Sequence, residues 1–492
     1  MVFSSLFFLY IFFPLCTLLY FLPVHRLRGL IDKGKRTKEP APVSIRWRNG
    51  VLVLFSLLFY AWGEPAYILL MLLTAFLDFL FALGIEKNAE NARLKRGLMA
   101  AAVVSNLGFL VFFKYTGFLI ETVNLIPWVR LPVPHIVMPI GISFYTFQIL
   151  SYVIDVYRGQ VKAQRSFAKV LLFLTLFHQL VAGPIVRYDH VAREIEERKT
   201  DMRQIWAGIA RFAAGLGKKA LLANPCGEMA DQWLNPAEFA SLPTAGAWLG
   251  LLLFAMQIYF DFSAYSDMAI GMGKMLGFHY HENFDYPYIS STVTEFWRRW
   301  HMSLGTFFRD YVYIPLGGNR GHQLRNLLIV WALTGLWHGA SWNFLIWGLY
   351  YFLFIAFEKY ILPKMKRKPP AVVMHIYLLL VVALGWAFFY YTNIFDAFAL
   401  FAKLFGGAAA GLTSPEVTLA LQNNAFFLVA AAAACLPVIR LLKWAEHWVS
   451  ARGTWQARAV FAVKYAAILA LVFFSTAQLV GNSFNPFIYF RF

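Results

Sequence analysis

The chain has 492 residues, of which 60% are hydrophobic and 14% charged, a balance too apolar for an ordinary soluble enzyme. Its net charge of +18 would suit a nucleic-acid binder. However, the lysines and arginines cluster in short segments beside apolar runs, which the positive-inside rule explains with no nucleic acid as partner.

Apolar stretches of span length recur from end to end, and only helices satisfy their own backbone in lipid, so the fold class is all-α. We expect a polytopic integral membrane protein of roughly ten to twelve spans, some of them short, re-entrant or interfacial. Val2 to Val24 has no basic region before it and no small-residue cleavage site after it, and reads as a retained span. The loop 25 to 49 carries His25, Arg26, Arg28, Lys33, Lys35, Arg36, Lys38, Arg46 and Arg48, which places it in the cytoplasm and the N-terminus outside. Alternation then puts Gly63-Glu64-Pro65 outside, Lys87 to Arg96 inside and Asn124 to His135 outside; the mixed charges of 187 to 203 decide nothing. Basic segments at 298 to 325, 364 to 368 and 440 to 458 are assigned to the cytoplasmic side. No internal repeat stands out and no loop is long enough for a folded extramembrane domain, so residues 1–492 read as one transmembrane domain.

Several polar residues lie inside apolar runs: Asp78, Lys114, Gln257, Asp261 and Asp267. Gln257 and Asp261 share a helix face, with Ser263, Tyr265 and Ser266 as hydrogen-bond partners; a polar knot tying helices together is the favoured reading. Lys114 reads as a residue snorkelling near a span end. Cys16, Cys226 and Cys435 are far apart, and His279-Tyr280-His281 is the nearest approach to a ligand pair, so no disulfide framework and no metal site is expected. There is also no Walker lysine loop and no GxSxG elbow.

Chemistry concentrates in residues 291 to 350. Thr292 followed by Glu295 is a capping-box spacing, and a helix starting near Thr294 would align Trp297, Trp300, Leu304, Phe307, Phe308 and Tyr311 on one stripe, with Arg298, Arg299, Thr306, Arg309 and Asp310 opposite. Such a helix lies along a membrane surface, and His301, within the apolar stripe, points toward the protein body. A turn at Gly317 to Gly321 ends it. A second helix from Arg325 runs into His338, rising roughly 20 Å into a hydrocarbon core of roughly 30 Å. An ionisable group at that depth needs a cavity or a partner, and Gly335, Gly339 and Ala340 leave room for either a tunnel or a close helix contact. For each histidine the plain alternative is a structural residue satisfied by its neighbours.

The segments EFWRRWHMSLGTFFRDYVYIPLGGNR and LWHGASWNFLIWG resemble the signature of the membrane-bound O-acyltransferase (MBOAT) family, in its bacterial branch that includes the membrane subunit of alginate O-acetylation. The likeness extends to 138–159, 182–188, 260–278, 282–290 and 485–492, with core motifs across 138–188 and 257–350, and departs at Phe307, where the family pattern has tryptophan. The resemblance implies helices around a central tunnel, His338 as active-site histidine and His301 as the second histidine. It implies an inner-membrane enzyme taking an acyl group, acetyl above D-alanyl, from a cytoplasmic thioester such as acetyl-coenzyme A. The group would pass to an extracytoplasmic polysaccharide (an alginate-like polymer, cellulose or peptidoglycan) through a periplasmic or membrane-tethered SGNH-hydrolase-like partner. No bound cofactor is implied.

Acyl transfer to a hydroxyl needs a base, for which a histidine near neutral pKa is suited, and His338 is the first candidate, with His301 positioning the donor or relaying a proton. Arg298, Arg299, Arg309 and Arg320 are candidate phosphate ligands, though topology and lipid headgroups account for them equally well. Trp297, Asp310, Tyr313, Asn319 and Trp337 complete the candidate substrate-binding set. A proton-coupled transporter or flippase of a polysaccharide export system is the alternative, since buried histidines and acids suit that too.

Overall fold

The computed structural model describes residues 1–22, 44–180, 183–367, 369–482 and 484–485. The basic loop assigned to the cytoplasm lies outside the described residues from His25 to Lys38, as do Ala182, Lys368 and the terminal 486–492. Among the described residues the chain is helical, with no strand. Those that position the site or its supports are α1 (Phe8–Phe21), α2 (Ile45–Gly63), α3 (Ile68–Lys87), α4 (Ala92–Val123), α5 (Ile142–Arg158), α6 (Thr244–Leu276), α7 (Val293–Arg299), α8 (Met302–Phe308), α9 (Gln323–His338), α10 (Trp342–Tyr360), α11 (Ala371–Tyr390), α12 (Pro415–Asn423), α13 (Ala425–Ala434) and α14 (Thr454–Gly481).

Six of these, α3, α4, α6, α10, α11 and α14, are long and apolar enough to cross a membrane; α12 and α13, bent by 66° at their junction, would make a seventh as one broken span. The other apolar segments counted from the sequence fold as shorter helices, such as α1 and α5, or carry polar residues, such as α2 with Arg46 and Arg48. The chain divides into two compact units, one of residues 1–212 and 268–281, the other of 213–267 and 282–492.

In the first unit, intramembrane polar residues tie helices together. Asp78 is fully buried and both its oxygens accept from Asn106 Nδ2, at 2.8 and 2.9 Å, joining α3 to α4. An unsatisfied carboxylate would be costly there. Lys114 does not snorkel free: its Nζ donates to Ser143 Oγ on α5 at 3.1 Å.

The second unit repeats the device more strongly. Lys219 meets Asp261 at 2.6 Å with both side chains only 2% exposed, and Lys218 meets Asp267 at 2.6 Å. The two lysines are consecutive in a π-helical turn, Lys218–Ala223. Asp261 and Asp267, six residues apart, fall about 120° apart around α6, so neighbouring lysines reach both. In the same unit α9 and α10 form a hairpin in backbone contact. A Cβ on Gly335 would lie 2.2 Å from the Phe344 carbonyl oxygen, and one on Gly348 2.2 Å from that of Trp331. The glycines near His338 thus serve a close helix crossing, and the space beside Gly339 is filled by the Phe344 ring.

Candidate active site

The site begins at a capped helix. Thr292 Oγ1 accepts from Glu295 N–H at 3.1 Å, as its spacing predicts, while Glu295 Oε2 accepts from Ser291 N–H at 3.0 Å. A second carboxylate, absent from the sequence reading, comes from α10: Glu358 accepts from Val293 N–H at 2.5 Å, Thr294 N–H at 2.8 Å and Thr294 Oγ1 at 2.6 Å. A negative charge on exposed helix N–H groups is favoured by their partial positive charge, and here it also locks α7 to α10.

The single helix expected from Thr294 to Tyr311 is broken. α7 ends at Arg299, α8 begins at Met302, and His301 between them adopts φ +44° in the left-handed region. That conformation is unfavourable for a non-glycine residue, and Asn283 supplies the compensation. Its carbonyl oxygen accepts from Met302 N–H at 2.9 Å, and its Oδ1 accepts from Ser303 N–H at 3.2 Å and Ser303 Oγ at 2.9 Å. His301 Nδ1 stands 3.3 Å from the same Oδ1. The imidazole is 2% exposed, edge-on to Phe262 at 4.6 Å between centroids, and burial pushes its pKa down to about 3. Nε2 is buried and has no hydrogen-bond partner among the described residues.

After a π-helical turn at Arg309–Tyr313 the chain reverses at Gly317 and Gly318, both at positive φ. Asn326, fully buried on α9, donates to the carbonyls of Gly318 and Gly321 at 3.1 and 2.7 Å and so staples this turn to the helix leading to His338.

A cavity of about 600 Å³ occupies the space enclosed by α7, α8, α9 and α10. Exposed Arg298, Arg309 and Lys359 stand at one end, and buried His301 and Trp331 and half-buried Trp297 line it deeper in. Along α9 it is lined by Leu327, Val330, Trp331 and Thr334. The next residue on that helix face is His338, four positions and about 6 Å further on.

Six of the eleven residues singled out from the sequence therefore line one cavity: His301, Trp297, Arg298, Arg309, Tyr313 and Asn319. Five do not. Arg299 is held by Glu295 at 3.0 Å and Asp285 at 3.1 Å, and Asp310 by Arg309 at 2.6 Å. Arg320 is exposed on the turn, and Trp337 and His338 are buried beyond the cavity's end. His338 packs edge-on against Trp337, Trp347 and Phe389, at centroid distances of 4.9, 5.0 and 5.3 Å. Among the described residues no group of three or more His, Cys, Asp or Glu side chains could hold a metal ion.

The arrangement joins a basic mouth, a tryptophan-lined interior and one imidazole in the cavity, with a second imidazole one helical turn beyond its end. Residues 161–400 match the family model described as MBOAT, membrane-bound O-acyltransferase family. The chain is 35% identical over the full length of both proteins to a probable alginate O-acetylase of Azotobacter vinelandii. The chain belongs to the membrane-bound O-acyltransferase family. A probable alginate O-acetylase of Pseudomonas aeruginosa is 37% identical over 82% of this chain and 75% of its own. A peptidoglycan O-acetyltransferase of Helicobacter pylori is 32% identical over 72% and 73%. As an MBOAT protein with several apolar spans, the chain is a multi-pass membrane enzyme, an O-acyltransferase, and the transporter reading falls away.

Proposed function

We propose that this O-acyltransferase takes an acetyl group from a cytoplasmic thioester, acetyl-coenzyme A, and passes it across the inner membrane toward an extracytoplasmic polysaccharide. The observation that carries the reading is the cavity's course. It starts among Arg298, Arg309 and Lys359 and follows one face of α9 to within one turn of His338. Guanidinium groups at the mouth suit the donor's phosphates, and the tryptophan-lined interior suits its apolar arm. His338 then acts as base toward the acceptor hydroxyl, and His301 faces the donor. Acetyl is favoured because two of the relatives are named for alginate O-acetylation and the third for peptidoglycan O-acetylation; the acceptor is accordingly a polymer outside the cytoplasm. We assign the last step to a periplasmic or membrane-tethered partner of SGNH-hydrolase type, and take 1–492 as a single transmembrane domain around this path.

The test is to incubate purified wild-type and His338→Ala protein in nanodiscs with radiolabelled acetyl-coenzyme A, with and without a candidate periplasmic partner. Label reaching the partner or a saccharide only with intact His338 supports the reading. Thioester that neither binds nor turns over under any pairing overturns it.

A further inference from the structure

Asn283 lies in the loop between α6 and α7, within the 282–290 segment, and the catalytic and substrate-binding residues described above do not include it. Ser303 donates to it through a backbone N–H at 3.2 Å, and a backbone N–H has no other role available. The atom it meets must therefore be the amide oxygen, not the nitrogen, which removes the usual ambiguity of an asparagine's two ends. The opposite end agrees: Asn283 Nδ2 donates to Ser266 Oγ on α6 at 3.1 Å. His301 Nδ1 has two polar neighbours, Asn283 Oδ1 at 3.3 Å and Ser303 Oγ at 3.4 Å. The Ser303 hydroxyl donates its proton to Oδ1 at the shorter 2.9 Å, so Nδ1 is left to donate to Oδ1, which only accepts. His301 therefore carries its proton on Nδ1, and Nε2, buried, without a partner among the described residues and on a residue lining the cavity, keeps its lone pair.

We propose that Asn283 is a positioning residue for acyl transfer, holding His301 in the Nδ1–H tautomer so that Nε2 faces the donor as a proton acceptor. This rests on the functional reading above and deepens it. In the reaction the acceptor oxygen bonds to the acyl carbon while the carbon–sulfur bond breaks, and the hydroxyl proton must finish on the departing thiolate sulfur. His338 takes the proton as the acceptor attacks. Nε2 of neutral His301 receives it in turn and releases it from the same atom to sulfur, so both imidazoles are regenerated, while the Nδ1 proton stays on His301, held in its hydrogen bond to Asn283 Oδ1. The Nε2–H tautomer would have no lone pair at Nε2 with which to receive the incoming proton.

The fixed charges around His301 do not compete for this task. Arg298 and Arg309 lie at the cavity mouth, as does Lys359 of α10, whose neighbour Glu358 is committed to the start of α7. On α6, Asp261 and Asp267 are held by Lys219 and Lys218, and Asp285 by Arg299 and Arg440. Glu282 precedes Asn283 and is exposed. His338 of α9 and His301 both pack against the Trp337 ring, at centroid distances of 4.9 and 5.7 Å.

The deciding experiment is nitrogen NMR of histidine-labelled full-length protein in nanodiscs. The chain has eleven histidines, so the His301 signals are identified by their loss in His301→Gln. The expected wild-type spectrum shows a protonated Nδ1 and a bare Nε2. Asn283→Ala should mix the tautomers, and Asn283→Asp, whose carboxylate still accepts from Ser303 and His301, should keep Nδ1–H and titrate His301 at higher pH. A wild-type Nε2–H tautomer, or an Nδ1–H tautomer untouched in a folded Asn283→Ala, overturns the proposal. Should Asn283→Ala fail to fold, the titration in Asn283→Asp decides: an unmoved His301 overturns it too. Turnover of acetyl-coenzyme A adds the kinetic arm. Asn283→Ala should lower kcat at least about tenfold with KM little changed, and Asn283→Asp should restore most of it with the acid limb of the pH profile moved upward. Wild-type protein that fails to turn over acetyl-coenzyme A while showing the Nδ1–H tautomer refutes the donor assignment and leaves the role of Asn283 in orienting His301 standing.

Discussion

The indole of Trp337 stands edge-on to the imidazole of His301, with ring centroids 5.7 Å apart and planes at 69°, and the same indole meets the His338 ring at 4.9 Å. One tryptophan thus touches both the histidine that lines the cavity and the one at the end of α9. The two imidazoles are accordingly expected to do different work. His338→Ala should lower acyl transfer by about 10²- to 10⁴-fold, the usual worth of a positioned base, with insertion and abundance unchanged. Transfer to the acceptor, measured beside membrane-fraction yield, checks this, and near-normal transfer would remove His338 from the mechanism.

Arg298 and Arg309 are exposed and share the cavity mouth with Lys359. Arg309 is already engaged by Asp310 at 2.6 Å, which leaves Arg298 the less committed charge. A charge-assisted hydrogen bond is worth about 1.5–3 kcal/mol, so Arg298→Ala should raise the donor KM roughly 10- to 100-fold and Arg309→Ala less. Substrates lacking the donor's phosphates should show no difference between the variants. Equal losses with and without phosphates would point to a purely structural role for this rim.

Much of this site was legible in the sequence because its residues follow local rules. The capping spacing of Thr292, the buried stripe through Trp300, Phe307 and Phe308, and the glycine turn before α9 all stand as expected. What was not legible depends on residues distant in the chain. The break at His301 has no local cause: helical periodicity continues through it, and only Asn283, 18 positions earlier, stabilises the left-handed turn. Glu358 reaches the start of α7 from 65 positions away, and the lysines that pair with Asp261 and Asp267 lie in a π-helical turn that shifts the ordinary face pattern. The glycines near His338 allowed either open space or close packing, and only the position of α10 decides between them.

The α9–α10 crossing gives a stability prediction independent of chemistry. A methyl group on Gly335 or Gly348 would overlap a backbone oxygen at 2.2 Å, and backbone has no rotamer by which to yield. Gly335→Ala and Gly348→Ala should each destabilise the protein by about 1–3 kcal/mol or more, as overpacking does. Thermal unfolding in detergent should show the loss, whereas Gly321→Ala, with nothing within 4 Å of its Cβ, should leave the transition in place.

Acid should weaken the protein through its buried neutral histidines. Burial pushes His301 and His178 each down to about 3, whereas in the unfolded chain an imidazole titrates near 6.5. Between those values each imidazole binds more protons in the unfolded state than in the folded one, so these two groups withdraw stability as pH drops below about 6.5 and contribute no slope above it. Each group contributes a slope of about 1.4 kcal/mol per pH unit in that window. His301→Gln removes one such contribution, and the decline in thermal stability between pH 6.5 and pH 4.5 should become shallower by about that one group's share. An unchanged slope in the variant would mean that His301 is protonated within the fold, and would contradict its role as a proton-free acceptor facing the cavity.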